Sequence, residues 1–189
     1  MNNQKRTPYF LILALLTAGY FMMSPVAKAA DTSVGDSEQV SKLFSEAKTE
    51  ADGLVRDAEL LDVFTRSVLS WDSHATQISL IREHVNKAGQ ILTSLNEVRH
   101  TGSPWQQQAI DQITPLLKEL ASNTQSAIEH LNEKRDDIRF RAGQYQDYAV
   151  ANYNLASELA ALISHYVDYE RNKAEFARLG ERRLEVAEN

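Results

Sequence analysis

The chemistry this chain could perform rests on its five histidines and on the polar residues that interrupt its apolar helical seams. His74 is the histidine that falls on a seam. When the segments are folded antiparallel and counted from their turns, His74 comes level with Thr65, with Ala127 to Leu131, and with Asn152. Thr65, His74 and Asn152 at one height predict a buried hydrogen-bonded layer, which fixes helix register because a slip would strand polar groups. The competing reading is a ligand or metal pocket at one end of the bundle, formed by Trp71, His74, Tyr148 and Asn152 with Tyr153 beside them. A lone seam histidine is more often a satisfied core residue, and the structural reading is preferred.

The other histidines offer less. A carboxylate-bridged di-iron bundle needs two Glu-x-x-His pairs and two further inward glutamates. This chain has that spacing at Glu97 and His100, at the end of a helix where an imidazole complements the macrodipole. Glu83-His84 and Glu129-His130 are adjacent pairs, so at most one member of each can face inward, and a solvated face is expected for both. No metal site is therefore expected. Haem is disfavoured as well, because Cys-x-x-Cys-His is missing and no second seam histidine opposes His74. Ser73-His74 and Ser164-His165 are neighbours whose side chains diverge by about 100° on a helix. No Gly-rich phosphate loop, nucleophile elbow or paired-carboxylate cleft appears. The expectation is a protein that is not an enzyme and has no cofactor. The aromatic series Tyr145, Tyr148, Tyr153, Tyr166, Tyr169 has helical spacing and reads as core packing.

These residues must be positioned by helices. Apolar residues recur at three and four, and no alternating strand pattern is present. The first seam runs Val40, Phe44, Ala47, Ala51, Leu54, Ala58, Leu61, Thr65, Val68, and the second Trp71, His74, Ile78, Ile81, Val85, Ala88, Leu92, Leu95. The third runs Ile110, Ile113, Leu117, Leu120, Thr124, Ala127, Leu131. The fourth runs Tyr145, Tyr148, Asn152, Leu155, Leu159, Leu162, Tyr166, Tyr169, Lys173, Phe176. Thr101-Gly102-Ser103-Pro104 reads as a helix stop followed by an N-cap and a proline at the first helical position. Arg139 to Gln144, with Gly143, parts the third segment from the fourth. The junction near Ser70 lacks Gly and Pro, although Ser70 and Asp72 are both N-cap residues. Pro115 should kink the third helix. The predicted fold is all-α, an antiparallel up-down-up-down four-helix bundle with the heptad-like seams of nearly parallel helices. The alternative is three long helices, the first continuous or kinked from Glu38 to Arg99.

The first 29 residues carry a different signal. Lys5 and Arg6 precede an apolar run from Tyr9 to Met23, Pro25 breaks it, and Ala27-Lys28-Ala29 supplies small residues for cleavage. This is the tripartite pattern of a secretory signal peptide, and the run is shorter than the roughly 20 residues of a membrane-spanning helix. The expected organisation is a leader over 1–29 cleaved near Ala29/Ala30, a flexible tether over 30–37, and a helical bundle domain over 38–185. Retention of the leader as a membrane anchor is the alternative. Loss of Lys5, Arg6 and Lys28 moves the formal charge from −6 to −9. Nucleic acid and anionic membrane surfaces both need a basic footprint, so neither is an expected partner. Cys is absent and all three Met residues lie in the leader, which excludes disulfide-linked partners and thiolate metal sites.

Three stretches carry a resemblance: Ser70-Trp71-Asp72-Ser73-His74-Ala75, Ser103-Pro104-Trp105-Gln106 through Ala109-Ile110-Asp111, and Thr114-Pro115-Leu116-Leu117 through Asn123-Thr124. They resemble a group of uncharacterised exported bacterial helical-bundle proteins over most of residues 40–180. The resemblance implies an exported helical protein and brings no activity, cofactor or catalytic residue. The functional expectation is a noncatalytic periplasmic or secreted interaction module that binds an unknown protein partner or self-associates. A small-ligand or metal carrier built around His74 is the rival.

Overall fold

The computed structural model describes residues 35–135, 137, 140 and 143–187, with backbone alone over 181–187. The expected leader, its cleavage point and residues 30–34 of the expected tether lie outside the described residues. Four helices follow one another: α1 (Glu38–Thr65), α2 (Trp71–Val98), α3 (Pro104–Glu133) and α4 (Gln144–Ala187), with a 3₁₀ turn (Arg99–Thr101) after α2. α1 packs on α2 and α4, and α3 packs on α2 and α4, so the four form a square antiparallel bundle. The α1–α4 contact is the most extensive and α2–α3 the least.

Each boundary has a local cause. Ser37 caps α1, its hydroxyl accepting from the Val40 N–H. At the ambiguous junction the chain does break: α1 stops at Thr65, and Ser70 caps α2 by accepting from the Ser73 N–H at 3.2 Å. The continuous-helix alternative is thereby removed. Ser103 caps α3 with Pro104 in its first turn, and the Gln106 side chain reaches back to accept from the Ser103 N–H at 3.0 Å, one arm of a capping box. Gly143 turns the chain into α4 with φ +64, a left-handed conformation that glycine adopts without a Cβ penalty. α3 runs unbroken through Pro115, whose missing N–H removes the bond to Asp111 one turn earlier. The Thr114 hydroxyl bonds back to the Ile110 carbonyl at 2.7 Å.

The core follows the first three seams closely. From Val40 to Thr65, from His74 to Leu95 and from Ile110 to Leu131 every seam residue is buried. Two expectations need correction. Val68, placed on the first seam, sits in the α1–α2 connection and is 89% exposed. The fourth seam is rotated: Ala149, Ala156, Ala160 and Ile163 are buried with Tyr145, Asn152 and Leu159, while Tyr148, Leu155 and Leu162 flank the core. The inward face of α4 thus carries three alanines, small side chains that let a helix pack closely on its neighbours.

α4 also outruns its neighbours. At 1.5 Å per residue its 44 residues span about 66 Å, against about 42 Å for the 28 of α1. All of residues 171–180 are exposed. No helix of the described residues is long and apolar enough to cross a membrane.

Candidate functional site

The predicted residues divide between two places. His74 is fully buried, with ring centroids of Phe140 at 5.0 Å, Tyr145 at 5.5 Å and Phe64 at 5.8 Å, all edge-on. Edge-to-face contacts suit an imidazole among aromatic rings. Thr65 is buried but donates to the carbonyl of Asp62 at 2.7 Å, within its own helix. Asn152 is fully buried and accepts from the Thr124 hydroxyl of α3 at 2.9 Å, while its Nδ2 has no partner among the described residues. Tyr145 is level with His74, and Asn152 lies seven residues further along α4, about 10.5 Å along the axis. The three polar positions are all interior, as expected, but they sit at two heights. Asn152 pairs with Thr124, a seam residue that was assigned no polar role.

The four candidate pocket residues do not share a mouth. His74 and Asn152 are sealed within the bundle. Trp71 instead faces the α2–α3 groove of about 190 Å³, donating its indole N–H to the Leu131 carbonyl at 2.8 Å. The Arg135 guanidinium covers its ring at 4.7 Å, a cation–π contact. Tyr148 packs edge-on against His130 at 6.1 Å and accepts from Gln144 at 2.7 Å. Tyr153 packs against the core from its edge. Burial without a partner raises the Tyr145 hydroxyl well above the usual phenol range.

Two histidines assigned to solvated faces are half-buried and engaged. His130 stacks on Tyr145 at 6.1 Å. His84 reaches across to α1, its Nδ1 2.7 Å from Glu50 and its Nε2 3.3 Å from Asp57. Gly53 makes room for that ring, since a Cβ there would lie 2.5 Å from His84 Cε1. The signal in the sequence was a glycine beside the α1 seam with acids one turn to either side, Glu50 and Asp57. His100 is exposed in the 3₁₀ turn, as its position at the end of α2 implied. Glu50 and Asp57 sit on opposite nitrogens of His84, and among the described residues no group of three such side chains is placed to hold one metal ion.

The densest polar cluster lies at the opposite end, and the sequence reading missed it. Gln106 is fully buried. Its carbonyl accepts from the N–H of Ser37 at 2.9 Å and of Ser103 at 3.0 Å. Its amide donates to Glu170 at 2.9 Å and to the Ser37 carbonyl and Ser41 hydroxyl at 3.1 Å. Ser41 also donates to Glu170. Beside this knot Asp36 accepts from the Trp105 indole at 2.6 Å and pairs with Lys173. Partial burial alone would raise the Asp36 carboxyl, but bonds from Lys173, Ser103 and Trp105 and the Lys173 charge hold it below the usual range. Trp105 stacks on Tyr166 at 5.9 Å and meets Tyr169 edge-on at 5.1 Å. Asp36 and Ser37, read as the end of a flexible tether, are thus pinned to α3 and α4. The correction has a plain cause: Ser37 is the α1 cap and Asp36 has a cation facing it.

Just beyond Lys173, α4 leaves the bundle. Tyr169 is 50% exposed, Phe176 74% and Leu179 48%. The apolar pattern of the fourth seam therefore continues past the point where the described residues supply anything to pack on it. This overhang, braced at its base by the Gln106 knot and the Trp105–Tyr166–Tyr169 stack, is the candidate interaction site. No family model matches the chain, and neither a curated protein nor a solved structure does.

Proposed function

We propose that this chain is an exported, noncatalytic interaction module that recognises a protein surface through the overhanging end of α4. The observation that carries the reading is that Phe176 continues the apolar stripe of Tyr148, Leu155, Leu162 and Tyr169 that flanks the core, with Leu179 one turn on, in a stretch of α4 whose residues 171–180 are all exposed. A helix of this length is marginal in water without a packed face, so its apolar side chains suit a partner better than solvent. The carrier reading loses support at its centre, because Phe64, Phe140 and Tyr145 occupy the space around His74 that a ligand would need. Export rests on the tripartite pattern of residues 1–29, and the acidic mature chain argues for a protein partner over nucleic acid or anionic lipid.

The test is site-specific photo-crosslinking in periplasmic extracts. A photoreactive residue at Phe176 is expected to give a discrete adduct, and one at the exposed Glu119 of α3 is expected to give none. If position 176 is as silent as position 119, the reading falls. Intact mass of the purified protein checks export, with cleavage giving the mass of residues 30–189.

A further inference from the structure

We infer that His84 is a proton-gated clamp between α1 and α2, closed when its ring is doubly protonated and open when it is neutral. The clamp lies midway along α1 and α2 and does not depend on what the α4 overhang binds. Both ring nitrogens face carboxylates of α1: Nδ1 is 2.7 Å from Glu50 and Nε2 is 3.3 Å from Asp57. A carboxylate only accepts, and a neutral imidazole carries a single N–H. A neutral ring therefore satisfies one acid and turns a lone pair on the other. The imidazolium donates to both, and each bond is then charge-assisted.

α1 is shaped to hold the ring in this pose. Glu50 and Asp57 stand three residues before Gly53 and four after it, so all three lie on one stripe of the helix. A Cβ at Gly53 would come 2.5 Å from Cε1, 2.8 Å from Nε2 and 3.1 Å from Nδ1. The ring thus lies across bare backbone with an acid at each end of its seat. Gln77 of α2 donates to the Asp57 carbonyl at 2.9 Å, which sets the two helices in register for the ring. The His84, Glu50 and Asp57 side chains are 24%, 20% and 22% exposed, so water and salt screen them less than an open surface pair. The remaining charged neighbours are Glu83 and Lys87 of α2, which pair at 2.9 Å, and Lys87 shares a depression with Glu50. Three carboxylates thus face one ammonium around the ring, and an imidazolium reduces that excess of negative charge. The direction in pH follows from this preference for the charged ring. The clamp contributes where the imidazole is protonated and is lost as pH rises and the ring gives up its proton. It is lost again in stronger acid, where carboxylates take up protons and cease to be ion-pair partners. Mild acid therefore tightens the α1–α2 edge.

The experiment pairs NMR of the His84 ring with urea denaturation of the full mature chain, at about pH 5.5 and about pH 8. In wild type at the lower pH two His84 ring N–H signals are expected to persist in water, since each is bonded to an acid. At the higher pH at most one is expected. Between the two conditions the unfolding constant of wild type is expected to rise about fivefold more than that of His84→Gln, which keeps a donor but cannot titrate. Gly53→Ala would stabilise α1 by helix propensity alone. It is nevertheless expected to lose the same pH-linked part, because its methyl takes the place of the ring. One ring N–H signal or none at the lower pH overturns the clamp. A wild-type profile parallel to that of His84→Gln overturns its dependence on the proton. A Gly53→Ala chain that keeps the full pH dependence overturns the seat. The ring signals are read on wild type, so they decide even where a variant does not fold.

Discussion

At one end of the bundle His74 is buried among the rings of Phe64, Phe140 and Tyr145, and at the other Gln106 is buried among hydrogen-bond partners. The first arrangement brings three aromatic rings edge-on to the imidazole. The second is held by complementarity of donors and acceptors drawn from three stretches of chain, around Ser37, Ser103 and Glu170. Aromatic contacts tolerate small displacements, whereas in the Gln106 knot each broken bond leaves a buried group unpaired. The knot sits where α4 departs from its neighbours. It joins the starts of α1 and α3 to the base of the overhang and makes that base rigid.

Three perturbations put the comparison at risk, in descending order of expected effect. Gln106→Ala should be the most damaging, at about 3 to 5 kcal/mol, because the Ser37 and Ser103 N–H groups both lose their acceptor. Chemical denaturation measures the loss, and amide hydrogen exchange should quicken at the starts of α1 and α3 while the His74 end stays protected. His74→Ala should cost about 2 to 4 kcal/mol through the cavity left among three rings. A larger loss for His74→Ala than for Gln106→Ala would reverse the ranking of the two ends. The smallest effect concerns Asp36. Its carboxyl is held below the ordinary aspartate value of 3.8 in the folded chain, so the stability it contributes is present above that value and is lost as pH falls through the lower folded one. Acidification below about pH 3.8 should therefore loosen Asp36 from Lys173 and Trp105 before the core yields. Trp105 fluorescence in a Trp71→Phe background reads this directly. An unchanged signal throughout that range in wild type, matching Asp36→Asn, would show that the contact adds nothing to the knot.

Three of the four helical seams were legible because burial on a helix leaves a mark at every third or fourth residue, and Phe44, Ile81 and Leu120 carry it without ambiguity. The Ser70 break was harder to read, since nothing but a serine hydroxyl marks it; the structure places the stop by putting Val68 in solvent and the Ser70 cap on Ser73. Gln106 escaped notice because nothing local marks it: its amide bonds Ser37 at the start of α1 and Glu170 of α4, both more than sixty positions away. His84 was assigned to the surface because its role depends on a missing Cβ at Gly53, thirty-one positions away in sequence.

What the sequence by itself determined is therefore local and periodic: the all-α class, the inward stripes of α1, α2 and α3, the caps at Ser70 and Ser103, and the absence of thiol chemistry. Tertiary structure alone decided which polar groups meet. His74 and Asn152 share a seam count, yet His74 packs on Tyr145 and Asn152 lies seven residues, about 10.5 Å, further along α4. Where the fourth seam stops being core was likewise a tertiary decision. A heptad pattern records that a face is apolar, and only the lengths of the neighbouring helices determine whether anything in the same chain lies opposite it.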